Sequence, residues 1–371
     1  MNDPKLKYLT ASMLIAMGMS TTPVIAEPTV EVAGAVEVEI NSGKDHTAAK
    51  GSDIALATVE LAFDAKINDK VSAHILMLHE DDSTESPTID EGIITISNGK
   101  DASKYLAQEH HRPGSPTRQS AASKGMFVYL NAGRMYVPFG NFESNMISDP
   151  LTLEIAETQE AAVQVGFETH GFQASVYAFN GEADQTGVDK DVIDDFGISL
   201  SFAMKFGSFE LDLGADYINN MAETDTFQEV IIAGPVVVQE HTAGIAAHAI
   251  INVGAFTLIA EHVTASDDFN TIDLQFNGAK ASPSASNIEI AYTMGIGGQD
   301  VTVAVAQQST ADIDVAGIGL PESRSMLSVS TTVANDVGLK IEFSNASDYE
   351  TADGGSGESG GMLTAQLAVE F

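Results

Sequence analysis

Residues 361–371 read G-M-L-T-A-Q-L-A-V-E-F, with Leu363, Ala365, Leu367, Val369 and Phe371 on every second position and Met362, Thr364, Gln366, Ala368 and Glu370 between them. A period of two sends one set to each face of a strand, and a tilted strand of about 9–11 residues crosses the hydrocarbon core of a bilayer. The pattern recurs. Val30, Val32, Val36, Val38 and Ile40 alternate with Glu31, Glu37 and Glu39; Phe209, Leu211, Leu213, Ala215 and Tyr217 alternate with Glu210, Asp212, Gly214 and Asp216; Val337, Leu339, Ile341 and Phe343 alternate with Gly338, Lys340 and Glu342. Scoring the chain this way gives about sixteen strands: 29–41, 52–66, 70–80, 88–97, 127–137, 159–168, 171–180, 194–206, 208–218, 241–252, 255–265, 285–295, 299–308, 324–334, 336–346 and 361–371. With little helical periodicity between them, so many strands close most economically into one all-β, antiparallel transmembrane barrel.

The connections alternate in length. Tight turns at Asn68-Asp69, His170, Gly207, Val253-Gly254, Ile296 to Gly298 and Asn335 are separated by longer stretches at 181–193, 219–240, 266–284, 309–323 and 347–360. Outer-membrane barrels have short periplasmic turns and long outer loops, so parity places both termini in the periplasm. One connection breaks the alternation. Residues 98–126 carry Lys100, Lys104, Arg112, Arg118 and Lys124, five of the 17 basic residues, on the short-turn side, and read either as a periplasmic insertion, which parity regained afterwards favours, or as a sign that the strand count before them is off by one. By the same parity, 138–158 is the third outer loop. At the other end, Lys5 and Lys7 precede an apolar run from Leu9 to Met19, and Val24-Ile25-Ala26 suits cleavage after Ala26, which makes 1–26 a signal peptide and 27–371 the barrel.

Composition narrows the class. The chain has no cysteine, which excludes disulfide-stapled scaffolds and thiol chemistry. Hydrophobic residues make up 44% and mean hydropathy is near zero, the intermediate value of a wall apolar on one face and wet on the other. A net charge of −36 argues against nucleic acid or another polyanion as partner and favours attraction of cations; a merely solubilising acidic surface would have the same composition.

The run A-G-R-M-Y-V-P-F-G-N-F-E-S-N-M-I-S-D-P-L-T-L-E-I-A-E-T from Ala132 to Thr158, followed by A-V-Q-V-G-F-E at Ala162 to Glu168, resembles the LbtU family of siderophore porins. The core of the resemblance is Gly133, Arg134, Tyr136, Val137, Pro138, Phe139 and Gly140, and the general plan of signal peptide, strand repeat and terminal Phe371 extends it over the mature chain. The resemblance implies an outer-membrane barrel associated with ferric siderophore uptake that does not use energy-coupled, plugged receptors. Where relatives have a short connection before this motif, this chain has 98–126.

The same block can be read from its residues. If the third loop folds into the lumen, Glu143, Asp149, Glu154 and Glu157 set the field at the narrowest point, with Arg134 beside them, inside or at the rim, because an Arg facing lipid near the midplane costs about 2–4 kcal/mol. The motif reads equally as a loop anchor, in which Pro138 fixes φ, Gly140 permits the reversal and Phe139 and Phe142 pack against the wall.

Other chemistry is weak. Glu109-His110-His111 and His79-Glu80-Asp81-Asp82 lack metal-site spacing, the Gly-rich 353–361 run lacks a following Lys-Ser/Thr, and no serine elbow is present. The sequence therefore points to no enzyme, no cofactor and no metal, but to a porin passing a ferric siderophore or similar small solute through a loop-narrowed, acidic pore. A general cation-selective porin and a surface adhesin or structural barrel with a filled lumen are the alternatives. Expected partners are outer-membrane lipid, the small solute, the barrel assembly machinery and, as in many porins, further copies in a homotrimer.

Overall fold

The computed structural model describes residues 28–80, 87–98, 125–183, 185–186, 192–232, 238–313 and 318–371. The signal-peptide expectation and nearly all of the 98–126 insertion, including Glu109, His110 and His111, lie outside the described residues, as do Asp81 and Asp82. Sixteen antiparallel strands close into one barrel. They are β1 (Thr29–Lys44), β2 (Lys50–Asn68), β3 (Val71–Glu80), β4 (Thr88–Ser97), β5 (Phe127–Tyr136), β6 (Gln159–Thr169), β7 (Phe172–Phe179), β8 (Asp195–Phe206), β9 (Phe209–Ile218), β10 (Gly244–Val253), β11 (Phe256–Ala265), β14 (Ser284–Ile296), β15 (Gln299–Ala311), β16 (Ser323–Ala334), β17 (Val337–Ser347) and β18 (Ser359–Glu370). A two-stranded hairpin, β12 (Gln275–Phe276) with β13 (Ala279–Lys280), stands apart from the wall between β11 and β14. Each strand expected from the alternation is present, with ends shifted by a few residues.

Alternation decides which face each residue takes. Ile288, Ile290, Val305, Leu327, Phe343 and Leu363 are exposed on the outside, whereas Asn287, Glu289 and Gln308 on the same strands are fully buried within. This inside-out distribution needs lipid around it, since exposed apolar surface encircling a molecule has no counterpart in a water-soluble monomer. No helix among the described residues is long and apolar enough to cross a membrane. The strands do so instead.

The wall closes where β1 meets β18, with Val36 opposite Val369 and Ile40 opposite Ala365. At its end, Phe371 N–H donates to the Gly34 carbonyl (3.0 Å) and Gly34 N–H to that of Phe371 (2.9 Å). The Phe371 ring is exposed at the short-turn end, as are Phe172, Phe206, Phe256 and Tyr292, whose last pair of rings lies 4.7 Å apart. Aromatic side chains at that level form an interfacial girdle.

At the same end, Ser97 N–H donates to the Lys70 carbonyl and Asn98 N–H to that of Val128, so the 98–126 connection leaves the wall beside the tight turns. The opposite end is built up by loops. Helix α1 (Leu151–Ala156) lies in the loop after β5 and helix α2 (Asp225–Ile232) in the loop after β9. Phe139, Leu151, Ile155, Phe227, Phe269 and Ile313, from four connections, are buried together in one apolar cluster over the lumen. Polar residues face inward along much of the wall, as the alternation implies, but Tyr129, Tyr177, Ile259 and Met326 are buried on the same inner face. The apolar roof joins loop residues to Met135, Phe179, Ile218 and Val263 of the strands, and the loops' share is one the strand pattern does not address.

Candidate functional site

The connection from Val137 to Thr158 folds inward. Its two ends are joined where Val137 N–H donates to the Thr158 carbonyl (2.9 Å), and between them the chain runs along the inner wall from β9 to β17 and returns. Wall residues hold it step by step. Gly140 N–H donates to Asp216 Oδ2 on β9 (3.1 Å), and the N–H groups of Asn141 and Phe142 donate to Glu261 on β11 (2.6 and 3.2 Å). Ser144 Oγ and Asn145 N–H donate to Glu289 on β14, both at 3.0 Å. Ile147 N–H (2.6 Å) and Ser148 Oγ (2.6 Å) donate to Glu342 on β17. On the return, Leu151 N–H donates to Gln308 on β15 (3.2 Å) and Thr152 Oγ1 comes back to Glu261 (2.6 Å).

The loop carbonyls are met by wall donors. Lys340 Nζ donates to Met146 O and Ser328 Oγ to Asn145 O, both at 3.0 Å, and the Arg324 guanidinium donates to Asp149 O. Hydrogen bonds to a charged group contribute about 1.5–3 kcal/mol each, and a buried N–H left without an acceptor loses about 1–3 kcal/mol, so the inserted position is strongly specified. The loop has no ladder of its own. Wall side chains satisfy the backbone groups that a lumen-crossing segment would otherwise bury unpaired.

The motif residues position the start of this segment. Gly133 has φ +147°, and a Cβ there would run into the Gly92 carbonyl across the β4–β5 pair, a close approach that needs glycine. Gly140 has φ +99°, which turns the chain toward Asp216, and Val137 and Phe139 are buried in the apolar roof. Pro138 is buried too. The even-numbered residues of β5 face outward, opposite to Asn131 and Met135. Arg134 therefore lies exposed at the outer rim, donating from Nε to Gln159 Oε1 (2.8 Å), while Tyr136 donates to Asp90 (3.4 Å).

The four loop carboxylates separate into two environments. Glu143 is half-buried and pushed up to about 7, by burial first and then by Glu289 and Asp212, with Lys340 opposing. Asp149 keeps an exposed surface, yet it is surrounded by protein deep in the barrel. Desolvation there and the nearby Glu154 on α1 push it up to about 7 against the pull of Arg324. Glu157 lies at the exit of the loop, where its carbonyl accepts the Asp225 N–H (2.8 Å); burial first, then Asp225 and Asp149, hold its carboxyl well above the usual carboxylate range. The cation beside Asp149 is thus Arg324 of β16, and Arg134 stands on the other face of the wall.

Sequence reasoning did not single out Glu261, Glu289, Gln308 or Arg324. The signal for them was alternation alone, the same pattern that sets Asp216, Lys340 and Glu342 on the strand face opposite their apolar neighbours. Across from the loop, Glu37 and Glu39 share the Gln366 amide (3.3 and 2.9 Å), and His74 stands between Asp64 (2.8 Å) and Glu91 (3.3 Å). A chain of side-chain hydrogen bonds, Thr95 to Asn131 to Gln164 to Ser175, continues this polar wall from β4 to β7.

No family model matches the chain. Among curated proteins it is similar to the UPF0422 protein lpl2888 of Legionella pneumophila strain Lens, 24% identical over 349 residues that make up 86% of this chain and 62% of that protein. A UPF0422 protein of Coxiella burnetii is 23% identical over 225 residues, 60% of this chain and 48% of that one. The chain thus spans about half to three-fifths of the length of the curated relatives it matches. Among solved structures, the anion-selective porin from Comamonas acidovorans superposes with a TM-score of 0.59 at 13% identity, covering 93% of this chain and 100% of that one. The outer-membrane channel DcaP of Acinetobacter baumannii gives 0.57 at 12% identity, covering 95% and 100%. The trimer form of OmpT of Vibrio cholerae gives 0.52 at 10%, covering 93% and 100%. At such identities the likeness concerns the fold, and with the apolar outer belt it makes this chain a porin-like, sixteen-stranded barrel of the bacterial outer membrane.

Proposed function

We propose that the protein is a diffusion porin whose solute passes between the inserted loop and the polar wall of β18 and β1 to β4. The observation that carries this reading is the seating of 137–158 against the wall by Asp216, Glu261, Glu289 and Glu342, with Glu143 and Asp149 left toward the lumen. Acidic groups on both sides of a narrow, low-dielectric passage focus the field and favour cations, and their mutual spacing along a hydrated path lets the solute leave again. The resemblance around Gly133 to Gly140 supports a ferric siderophore as the cargo, the alternation of loop lengths supports tight turns and 98–126 facing the periplasm, and the trimer form of OmpT among the structural neighbours supports a homotrimeric assembly. Conductance and reversal potential of the purified protein in planar bilayers test the reading. A conducting, cation-preferring channel with flux of a ferric chelate is the expected result; a folded barrel that passes no current overturns it.

The apolar roof favours a second reading, a surface-exposed structural barrel with a closed outer mouth, because Leu151, Ile155, Phe227 and Phe269 fill space that a wide pore would leave to water. The same bilayer measurement separates the two.

A further inference from the structure

We propose that Glu261, Glu289 and Glu342 are positioning residues that set the aperture of the pore, and that they do so separately from the carboxylates that set its ionic preference. The proposal rests on the porin reading above. Glu261 is the centre of the arrangement, because it takes the N–H groups of Asn141 and Phe142 from the outgoing limb of the loop and the Thr152 hydroxyl from the returning limb, and so clasps both. Glu289 holds the middle, at Ser144 and Asn145, and Glu342 the tip, at Ile147 and Ser148.

Two features distinguish these groups from Glu143 and Asp149. The wall carboxylates are covered by the loop they hold, with exposures of 5% for Glu261, 0% for Glu289 and 1% for Glu342, whereas Glu143 is half-buried and Asp149 exposed. They accept from the loop backbone at Asn141, Phe142, Asn145, Ile147 and Ser148 and from the side chains of Ser144, Asn145, Ser148 and Thr152, so they fix the path of the chain together with its small polar side chains. Lys340 and Arg324 complete the set by donating to the carbonyls of Met146 and Asp149 at the tip. Removing a wall carboxylate leaves buried N–H groups without an acceptor, and the loop regains partners by leaving the wall for water. A displaced loop alters how much current flows. Substitution of a lumen-facing carboxylate alters which ion carries it.

In planar bilayers, with barrel integrity checked by heat-modifiable gel migration, Glu261→Ala combined with Glu289→Ala and Glu342→Ala is expected at least to double single-channel conductance, while moving the reversal potential less than Glu143→Gln does. The chain has no cysteine, so Asn145→Cys with Ser328→Cys introduces a single disulfide where the 3.0 Å hydroxyl–carbonyl contact brings the loop beside β16. That tether should form readily in the otherwise wild-type protein, form more slowly in the triple variant, and on oxidation return the triple variant to the parent conductance. An intact triple variant with unchanged conductance and unchanged tether formation overturns the proposal. So does a raised conductance that the oxidised tether leaves in place, or a tether that fails to form in the wild-type background. Should the triple variant not form a barrel, Glu261→Ala alone is read the same way. If the wild type passes no current, the porin reading fails, and the rate of tether formation still decides whether these carboxylates hold the loop.

Discussion

A carboxylate placed to attract a cation has to stay ionised, and at Glu143 burial opposes that. With its carboxyl pushed up to about 7, chiefly by desolvation and then by Glu289 and Asp212, the group is charged above that pH and largely neutral below it. Cation preference should therefore decline as pH is lowered from about 8 to about 6, seen as a reversal potential drifting toward the non-selective value. The stability term has the opposite sense: a carboxyl raised on folding binds a proton more readily in the folded state, so its burial destabilises the loop increasingly as pH rises from the ordinary carboxylate range through about 7. A Glu143→Gln variant should lose part of this pH dependence and keep the part carried by Asp149, whose carboxyl is also pushed up to about 7. Replacing Glu143, Asp149, Glu154 and Glu157 together by their amides should shift the reversal potential most at low ionic strength, where screening is weakest. Glu157→Gln alone should do less, because Glu157 sits beside Asp225 at the exit of the loop, where burial holds its carboxyl well above the usual carboxylate range. Equal effects from Glu157 and Glu143 would refute this division of the four acids.

At the scale of elements, strands were legible because a period of two leaves an unmistakable trace over about ten residues, as in Val337 to Phe343, where each apolar residue faces lipid and Lys340 and Glu342 face the lumen. The six-residue α1 and the two-residue strands β12 and β13 were not, because segments so short have no period to detect. The candidate loop was located by parity and by its motif, and its carboxylates could be named. What holds it could not. Glu261 and Glu342 meet loop residues 109 to 195 positions away in sequence, and a single chain records such pairings nowhere. Arg134 shows the limit from the other side: its residue type argued against lipid at mid-membrane depth, while its place at the outer end of β5 let it face outward and pair with Gln159. The 98–126 connection belongs to this scale too. Since β4 and β5 pair directly, with Ile96 opposite Leu130, closure of the wall does not depend on what joins them, and long connections add little closure entropy. Deleting residues 100–123 should leave heat-modifiable migration intact, and a protease-cleavable tag near Ser115 should resist protease added to whole cells; cleavage there would place the tight turns outside.

The whole molecule depends on one seam. Fifteen of the sixteen junctions join strands that follow one another around the wall, but β1 and β18 come from opposite ends of the chain and pair across the greatest sequence separation in the wall. Their pairing runs from Ala35 opposite Glu370 to Gly43 opposite Met362, and the reciprocal Gly34–Phe371 bonds extend it to the final residue. An open seam would present a row of N–H and C=O groups to hydrocarbon, each unpaired group a loss of several kcal/mol, so a partly closed barrel is not a stable alternative. Removing 367–371 strips the pairings of Val38, Glu37, Val36 and Ala35 together with the Gly34 clasp, and the shortened chain should give no slow-denaturing band and no membrane-integrated product. Phe371→Ala keeps every backbone bond and loses only an exposed ring at the interfacial girdle, so it should close to a heat-modifiable barrel, with assembly slowed before stability is reduced. Comparing unheated and boiled samples of the two variants tests the argument directly. A truncated chain migrating like the parent would mean that the wall closes elsewhere, whereas loss of the barrel in Phe371→Ala would give the ring, and not the backbone seam, the decisive part.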